Sequence, residues 1–133
     1  MKYVIAEVGN NHNGSVDAAK RLIDGAELAG ADAVKFQLRG RSLYRGLDHG
    51  VQEDLGVEYI KDLLSKYDLN LNEHEELFEY CSDRQISYLC TPWDDSSLDV
   101  LKSWKCSMVK IASADFDNLP FISKALDSFE TVI

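Results

Sequence analysis

Apolar residues recur along this chain in two periods, one typical of strands and one typical of helices. Short runs rich in β-branched and aromatic residues predict strands over residues 3–8, 31–38, 86–90 and 107–112, with a fifth strand beginning at Thr131. Apolar residues spaced three and four apart predict helices over residues 15–29, 55–66, 72–84, 95–104 and 120–128. Ser15 is placed to cap the first helix and Gly30 to end it.

The alternation of strand and helix predicts a parallel sheet with right-handed crossovers. No Gly-x-Gly-x-x-Gly follows the first strand, which disfavours a dinucleotide-binding fold. Residues 32–37 (DAVKFQ) weakly resemble residues 107–112 (SMVKIA), as repeated units of a (β/α)8 barrel would. The predicted fold class is therefore α/β, the N-terminal half of a (β/α)8 TIM barrel, with residues 1–133 as one partial barrel domain, because a whole barrel takes about 250 residues.

A half barrel leaves strand edges and an apolar sheet face uncovered. We therefore expect this sequence either to be part of a longer barrel or to associate into a homo-oligomer. Residues 39–54 are predicted to form a long polar loop, and loops of more than about 12 residues are usually functional or disordered.

Charged residues on three of the predicted strands form the candidate site. A carboxylate in a β-branched strand is costly to bury without a partner, and Glu7 is such a residue. Period-two alternation places Glu7, Lys35, Gln37 and Lys110 opposite the faces that pack under helices. They therefore point into the barrel, near the carboxyl ends of the strands, where barrel active sites lie. Two lysines with one acid suit a phosphate or carboxylate ligand; the alternative is a structural ion pair made by Glu7.

Hydroxyl and aromatic residues follow these strands. Thr91 and Ser113 come directly after the third and fourth strands, and they are candidates to bond phosphate oxygens or, alternatively, to cap helices or stabilise turns. His12 lies in the first βα turn and is interpreted as a turn residue rather than a metal ligand. His74, like His49, is predicted to be solvated. Trp93 either walls a pocket or only packs.

Composition narrows the possible partners. The net charge is −9 with no long basic block, which disfavours nucleic acid but not a small anion. No apolar run reaches the roughly 20 residues of a membrane span, and the first residues show neither the apolar region nor the cleavage site of a signal peptide. The three cysteines are odd in number and form no Cys-x-x-Cys pair. We therefore expect buried free thiols rather than a zinc site, and a reducing, cytoplasmic location.

Four segments resemble, in order, motifs of the sialic acid synthase (N-acetylneuraminate synthase) family. They are residues 5–14 (IAEVGNNHNG), 29–37 (AGADAVKFQ), 90–94 (CTPWD) and 109–113 (VKIAS). The resemblance implies condensation of phosphoenolpyruvate with an N-acetylated sugar aldehyde, giving a nonulosonic acid and phosphate. Of the matched residues, Glu7 is similar to the catalytic carboxylate and Gln37 to a residue near the sugar. The positions similar to those that hold phosphoenolpyruvate are Lys35, Thr91, Lys110 and Ser113.

The sequence departs from the family pattern at three positions, with Cys90, Trp93 and Ala114 where Ser, Phe and Gly are usual. The family also uses a divalent metal, manganese or magnesium, whose two histidine ligands lie on later strands, so no metal ligands are expected in this chain. Nor do we expect these residues to include a counterpart of the family's C-terminal domain, which completes the sugar site across a dimer. We therefore expect these 133 residues alone to be inactive. A Schiff-base aldolase, or a truncated homologue that binds an anion or a partner, remain alternatives.

Overall fold

A computed structural model describes residues 2–40 and 66–133. Most of the predicted loop 39–54 and helix 55–66 lies outside the described residues, as does His49. The described strands are β1 (Ile5–Glu7), β2 (Ala33–Leu38), β3 (Ser87–Pro92), β4 (Met108–Val109) and β5 (Thr131–Val132). The described helices are α1 (Val16–Leu28), α2 (Leu71–Asp83), α3 (Asp95–Ser103) and α4 (Leu119–Leu126), with a 3-10 turn at Ser113–Asp115.

The described strands form one sheet in which spatial order equals chain order, β1-β2-β3-β4-β5. Every neighbouring pair is parallel. A doubly wound sheet reverses its strand order at a switch point, whereas the described strands advance in one direction, as barrel strands do. The predicted parallel α/β sheet is therefore confirmed.

The two faces of the sheet bury different residues. The face under the helices forms the main core, which includes Val34, Phe36, Tyr88, Cys90 and Val109. Helix residues that complete this core are Ala19, Ile23, Leu77, Leu98 and Leu101. The opposite face has a small apolar layer, made of Ile5, Ala33, Leu89 and Met108. The alternation predicted for β1, β2 and β4 is thus confirmed, and the inner face carries its polar residues beyond this apolar layer.

The ends of β3 and β4 differ from prediction. β3 continues through Thr91 and Pro92, because these residues pair with Gln37 and Leu38 of the long central strand β2. Pro92 is the last residue of β3, a strand-terminal position where its missing N–H is tolerated. β4 is regular only at Met108–Val109, although its neighbours still bond along the ladder: Lys110 N–H donates to the Cys90 carbonyl at 3.0 Å.

Side-chain caps set where the helices begin. Ser15 Oγ accepts a hydrogen bond from the Ala18 N–H at 3.2 Å, as predicted, and Gly30 follows α1 with a φ of +78° that suits glycine. α2 starts one residue earlier than predicted because Asn70 and Glu73 form a reciprocal capping box. No described helix is long and apolar enough to cross a membrane.

Asp94 joins the end of β2 to the start of α3. Its carboxylate caps α3 by accepting from the Ser97 N–H at 2.7 Å, and it also accepts from the Gly40 N–H at 2.7 Å. Burial raises the pKa of Asp94, but hydrogen bonds from Ser96, Ser97 and Gly40 outweigh burial, and the net pKa is lowered. One carboxylate therefore fixes the position of the loops that follow two adjacent strands.

The buried polar residues include two histidines, His74 and His12. The prediction that His74 is solvated is wrong: it is 1% exposed, and its Nδ1 lies 2.8 Å from the hydroxyl of Tyr88. Phe36 packs edge-on against the ring of His74 and stacks on Tyr88. Burial lowers the pKa of His74 to about 4. His12 is a turn residue as interpreted, with Nδ1 accepting from the Gly14 N–H, but it too is buried, and burial lowers its pKa.

The three cysteines are buried free thiols, as predicted. Burial raises the pKa of Cys81, of Cys90 and of Cys106 to about 12. Thiols of this kind pack as small apolar groups and are poor nucleophiles.

Because His74 is buried, we expect the protein to lose stability in mild acid. The folded state holds His74 neutral down to about pH 4, whereas an unfolded histidine takes up its proton near pH 6.5. Its contribution is therefore complete above pH 6.5 and declines below it, by about 1.4 kcal/mol per pH unit until the folded pKa is reached. Urea unfolding from pH 7.5 to pH 4.5 measures the slope. A His74→Gln variant should flatten it; an unchanged slope would contradict this account.

Removing the Asp94 carboxylate should loosen both loops that it holds. We expect Asp94→Ala to lower the free energy of unfolding by about 2 kcal/mol, because a helix cap and a tertiary hydrogen bond are lost together. Asp94→Asn is the matched control: Gly40 and Ser97 donate to different oxygens of Asp94, so the one amide oxygen keeps only one of the two bonds, and the loss should be smaller than in Asp94→Ala. Equal losses in the two variants, measured by urea unfolding, would contradict this account, because the retained bond would then contribute nothing.

Candidate functional site

The polar residues of the inner sheet face lie at the carboxyl ends of β1, β2 and β3. The strand register places Glu7 beside Lys35 and places Gln37 beside Thr91. These four predicted site residues are therefore brought together on adjacent strands. The apolar inner layer lies toward the other end of the strands and forms the floor of this group.

Glu7 and Lys35 form an ion pair across the first two strands. Lys35 Nζ lies 2.8 Å from Glu7 Oε2, so the structural ion pair that the sequence left open is present. The two side chains differ in exposure, however: 9% for Lys35 and 56% for Glu7. A buried ammonium fixed by a half-exposed carboxylate leaves the carboxylate accessible from the open side of the sheet. The ion pair is thus compatible with a chemical role for Glu7.

Gly9 leaves the space that the Glu7 carboxylate occupies. Its φ of +51° lies in the left-handed region, and a Cβ at this position would come within 3.2 Å of Glu7 Oε1. The same Cβ would lie 3.7 Å from Gln37 Nε2. The backbone N–H groups of Val8 and Gly9 both donate to the Lys35 carbonyl, at 3.0 and 2.9 Å. The first βα turn is therefore anchored on β2 beside the site.

Arg39 and Trp93 extend this group beyond the residues predicted from the sequence. Arg39 Nη2 donates to Gln37 Oε1 at 2.6 Å, and Trp93 Nε1 donates to the same oxygen at 3.3 Å. Arg39 also donates from Nη1 to Asp68 at 2.8 Å, and its guanidinium lies 5.0 Å from the centre of the Trp93 ring. Trp93 therefore both packs and bonds. Arg39 continues the alternation of Lys35 and Gln37 and so falls on the same face, whereas no sequence signal indicates Asp68.

Lys110 and Ser113 lie past the regular part of β4. Lys110 Nζ donates to the Ile111 carbonyl at 3.0 Å, and within the described residues it pairs with no carboxylate. Its own N–H bonds Cys90, so Lys110 lies beside Thr91. Ser113 is exposed in the 3-10 turn, whose first residue is preceded by Ala112 without a side-chain cap. Thr91 is buried within β3 and so does not cap a helix.

No metal site is formed by the residues in 2–40 and 66–133, where no three His, Cys, Asp or Glu side chains are arranged to hold an ion. The residues predicted from the sequence supply one carboxylate, two ammonium groups, an amide and two hydroxyls. Ammonium and hydroxyl groups donate hydrogen bonds to anionic oxygens, and a half-exposed carboxylate can accept a proton or orient water.

Comparison with known proteins identifies the family of this chain. Residues 22–133 match the model of the NeuB family. The chain is 35% identical over 122 residues to spore coat polysaccharide biosynthesis protein SpsE of Bacillus subtilis, covering 90% of this chain and 33% of that protein. It is 33% identical over 126 residues to N,N'-diacetyllegionaminic acid synthase of Campylobacter jejuni, covering 91% of this chain and 38% of that protein. The chain thus spans 33% and 38% of the length of these two relatives.

A solved structure agrees with these sequence matches. The crystal structure of N-acetylneuraminic acid synthetase from Leptospira borgpetersenii, in complex with citrate, superimposes with a TM-score of 0.79 at 31% identity, covering 95% of this chain and 41% of that one. The predicted fold class, the N-terminal half of a barrel, is confirmed by this match. The order of the strands, the shared sequence and the matched residues lead to one conclusion: this chain belongs to the NeuB family.

Proposed function

We propose that this chain is the phosphoenolpyruvate-binding half of a synthase that joins phosphoenolpyruvate to an N-acetylated sugar aldehyde. The products are a nonulosonic acid of the sialic acid type and inorganic phosphate. The observation that carries the proposal is the buried Lys35 ammonium, paired with the accessible Glu7 carboxylate at the carboxyl ends of adjacent parallel strands. The names of the relatives, among them legionaminic acid and sialic acid synthases, support the same reaction class.

Each residue has a role that follows from its chemistry. Lys35 and Lys110 supply positive charge for the phosphate and carboxylate of phosphoenolpyruvate, and the Thr91 and Ser113 hydroxyls donate to its oxygens. These donors are fixed in position before the substrate binds, so they stabilise charge that develops in the transition state. The citrate in the Leptospira complex is likewise a polycarboxylate, although that observation concerns the relative.

The reaction balances with one water. C3 of phosphoenolpyruvate bonds to the aldehyde carbon of the sugar, whose oxygen takes up a proton. Water adds at C2, and the C2–O bond to phosphate then breaks, leaving the 2-keto acid. Glu7 lies on the accessible side of the ion pair, where it can orient this water or accept its proton. The described residues offer no ligand set for the divalent metal that the resemblance implies, so no step is assigned to a metal.

The proposed reaction predicts phosphate release by the full-length protein supplied with phosphoenolpyruvate, manganese and N-acetylmannosamine or a related N-acetylated hexose. Glu7→Gln should lower kcat by about 100-fold or more, the usual contribution of a general acid or base. Lys35→Met should raise the KM for phosphoenolpyruvate by about tenfold or more, because charge-assisted bonds are lost. Lys124→Met, on the outer helix α4 and paired with Asp95 and Asp99, is the matched control and should change neither constant.

The absence of phosphate release with every such sugar would overturn the proposal. Binding of phosphoenolpyruvate without turnover, in the full-length protein, would instead support the non-catalytic homologue that was considered as an alternative. Calorimetric titration with phosphoenolpyruvate distinguishes these outcomes from a chain that binds nothing.

A Schiff-base aldolase is the less favoured alternative. A nucleophilic lysine is activated by apolar surroundings or by a neighbouring cation, whereas Lys35 Nζ contacts a carboxylate and Lys110 Nζ a backbone carbonyl. We therefore predict that borohydride added with pyruvate leaves the mass of the intact protein unchanged. A mass increase matching reduced pyruvyl-lysine, lost in Lys35→Met or Lys110→Met, would establish the aldolase instead.

A further inference from the structure

The Gln37 side chain is held by two groups that can only donate hydrogen bonds. Arg39 Nη2 lies 2.6 Å from Gln37 Oε1, and Trp93 Nε1 lies 3.3 Å from it. Neither guanidinium nor indole N–H can accept a hydrogen bond. The orientation of the Gln37 amide is therefore fixed by its partners, with the oxygen toward Arg39 and Trp93. If the amide were flipped, its NH2 group, which also only donates, would face these two donors.

Arg39 is itself held firmly. Its side chain is 7% exposed, and it bonds Asp68 at 2.8 Å while lying over the Trp93 ring. A buried guanidinium requires such partners. Asp68, Arg39 and Trp93 together form a clamp on Gln37, and this clamp connects the end of β2 with the residue that follows β3.

The clamp determines what Gln37 presents to the open side of the sheet. Both acceptor positions of Oε1 are used, so the amide retains only its two N–H donors. Nε2 lies on the side of Gly9, close to the point that a Gly9 Cβ would occupy and that Glu7 Oε1 also approaches. Gln37 therefore offers neutral donors beside the Glu7 carboxylate.

The resemblance places Gln37 near the sugar, and we propose that Arg39 and Trp93 are positioning residues: by holding the Gln37 oxygen they leave the amide N–H groups to donate to an uncharged acceptor oxygen of the sugar substrate. The inference rests on the proposed function. The charge of each donor indicates which substrate it suits. Ammonium groups suit the anionic phosphoenolpyruvate, and a neutral amide suits a hydroxyl or carbonyl oxygen of the sugar. Specificity for the sugar is thus set partly by two residues that do not contact it.

Three variants of the full-length enzyme test the positioning. Gln37→Glu keeps an acceptor for Arg39 and Trp93 but replaces the donor with an oxygen, and it should raise the sugar KM by about tenfold or more. Trp93→Phe keeps the ring under Arg39 but removes one donor. Arg39→Lys keeps a charge beside Asp68 but lacks the fork that reaches both partners. Each of the last two should raise the sugar KM by about threefold to tenfold.

Comparing the sugar KM with kcat and with the KM for phosphoenolpyruvate distinguishes a positioning role from a general loss of structure. The KM for phosphoenolpyruvate and kcat should stay within about twofold of the unmodified enzyme in Trp93→Phe and Arg39→Lys, since neither residue binds that substrate. Arg84→Lys is the matched control. Arg84 pairs with Asp24 on the outer side of the helices, and its substitution should leave all constants unchanged. An unchanged sugar KM in both clamp variants, in an enzyme that releases phosphate, would overturn the inference and leave the proposed function intact.

A measurement without turnover tests the amide orientation itself. The indole N–H proton of Trp93, assigned by its loss in Trp93→Phe, should shift downfield in Gln37→Glu because its acceptor gains charge, and upfield in Gln37→Met because the acceptor is lost. The Trp104 indole proton is the internal reference. A Trp93 proton that responds to neither change would overturn the inference, even if no sugar supports phosphate release and the proposed function itself has failed.

Discussion

The ion pair between Glu7 and Lys35 depends on the parallel register of β1 and β2 and explains much of the arrangement around it. Parallel register puts the two residues side by side, and the Lys35 carbonyl then anchors the turn that follows β1 through the N–H groups of Val8 and Gly9. The left-handed φ of Gly9 and its lack of a side chain keep the carboxylate uncrowded. The ion pair and the anchored turn are thus both consequences of one strand register.

The outer face of the sheet makes that contact possible. Its apolar side chains pack under α1, α2 and α3 and supply the main core, so the inner face is available for polar residues near the carboxyl ends of the strands. The cost of burying the Lys35 ammonium is offset by its partner. Asp94 and the Asp68–Arg39 pair hold the loops around this end, which keeps the donors in place before any substrate arrives.

Most of the fold could be predicted from local sequence, because two periods of hydrophobicity define which face of each strand is buried. The same alternation identified Glu7, Lys35, Gln37 and Lys110 as inward-facing. It could not identify the burial of His74, which depends on Phe36 and on Tyr88, a residue 14 positions away. Nor could it place Thr91 inside β3, since that pairing is imposed by the length of β2.

The clamp on Gln37 shows why long-range polar contacts escape local patterns. Arg39 contacts Asp68 across 29 positions and Trp93 just after the neighbouring strand β3, and no spacing rule relates these residues. Yet the physical reason is simple: a guanidinium buried at the end of β2 needs acceptors and a flat surface, and only the tertiary structure supplies both. The amide that it orients is then limited to donating. The chemistry of a residue chosen by alternation is therefore completed by partners that alternation cannot reveal.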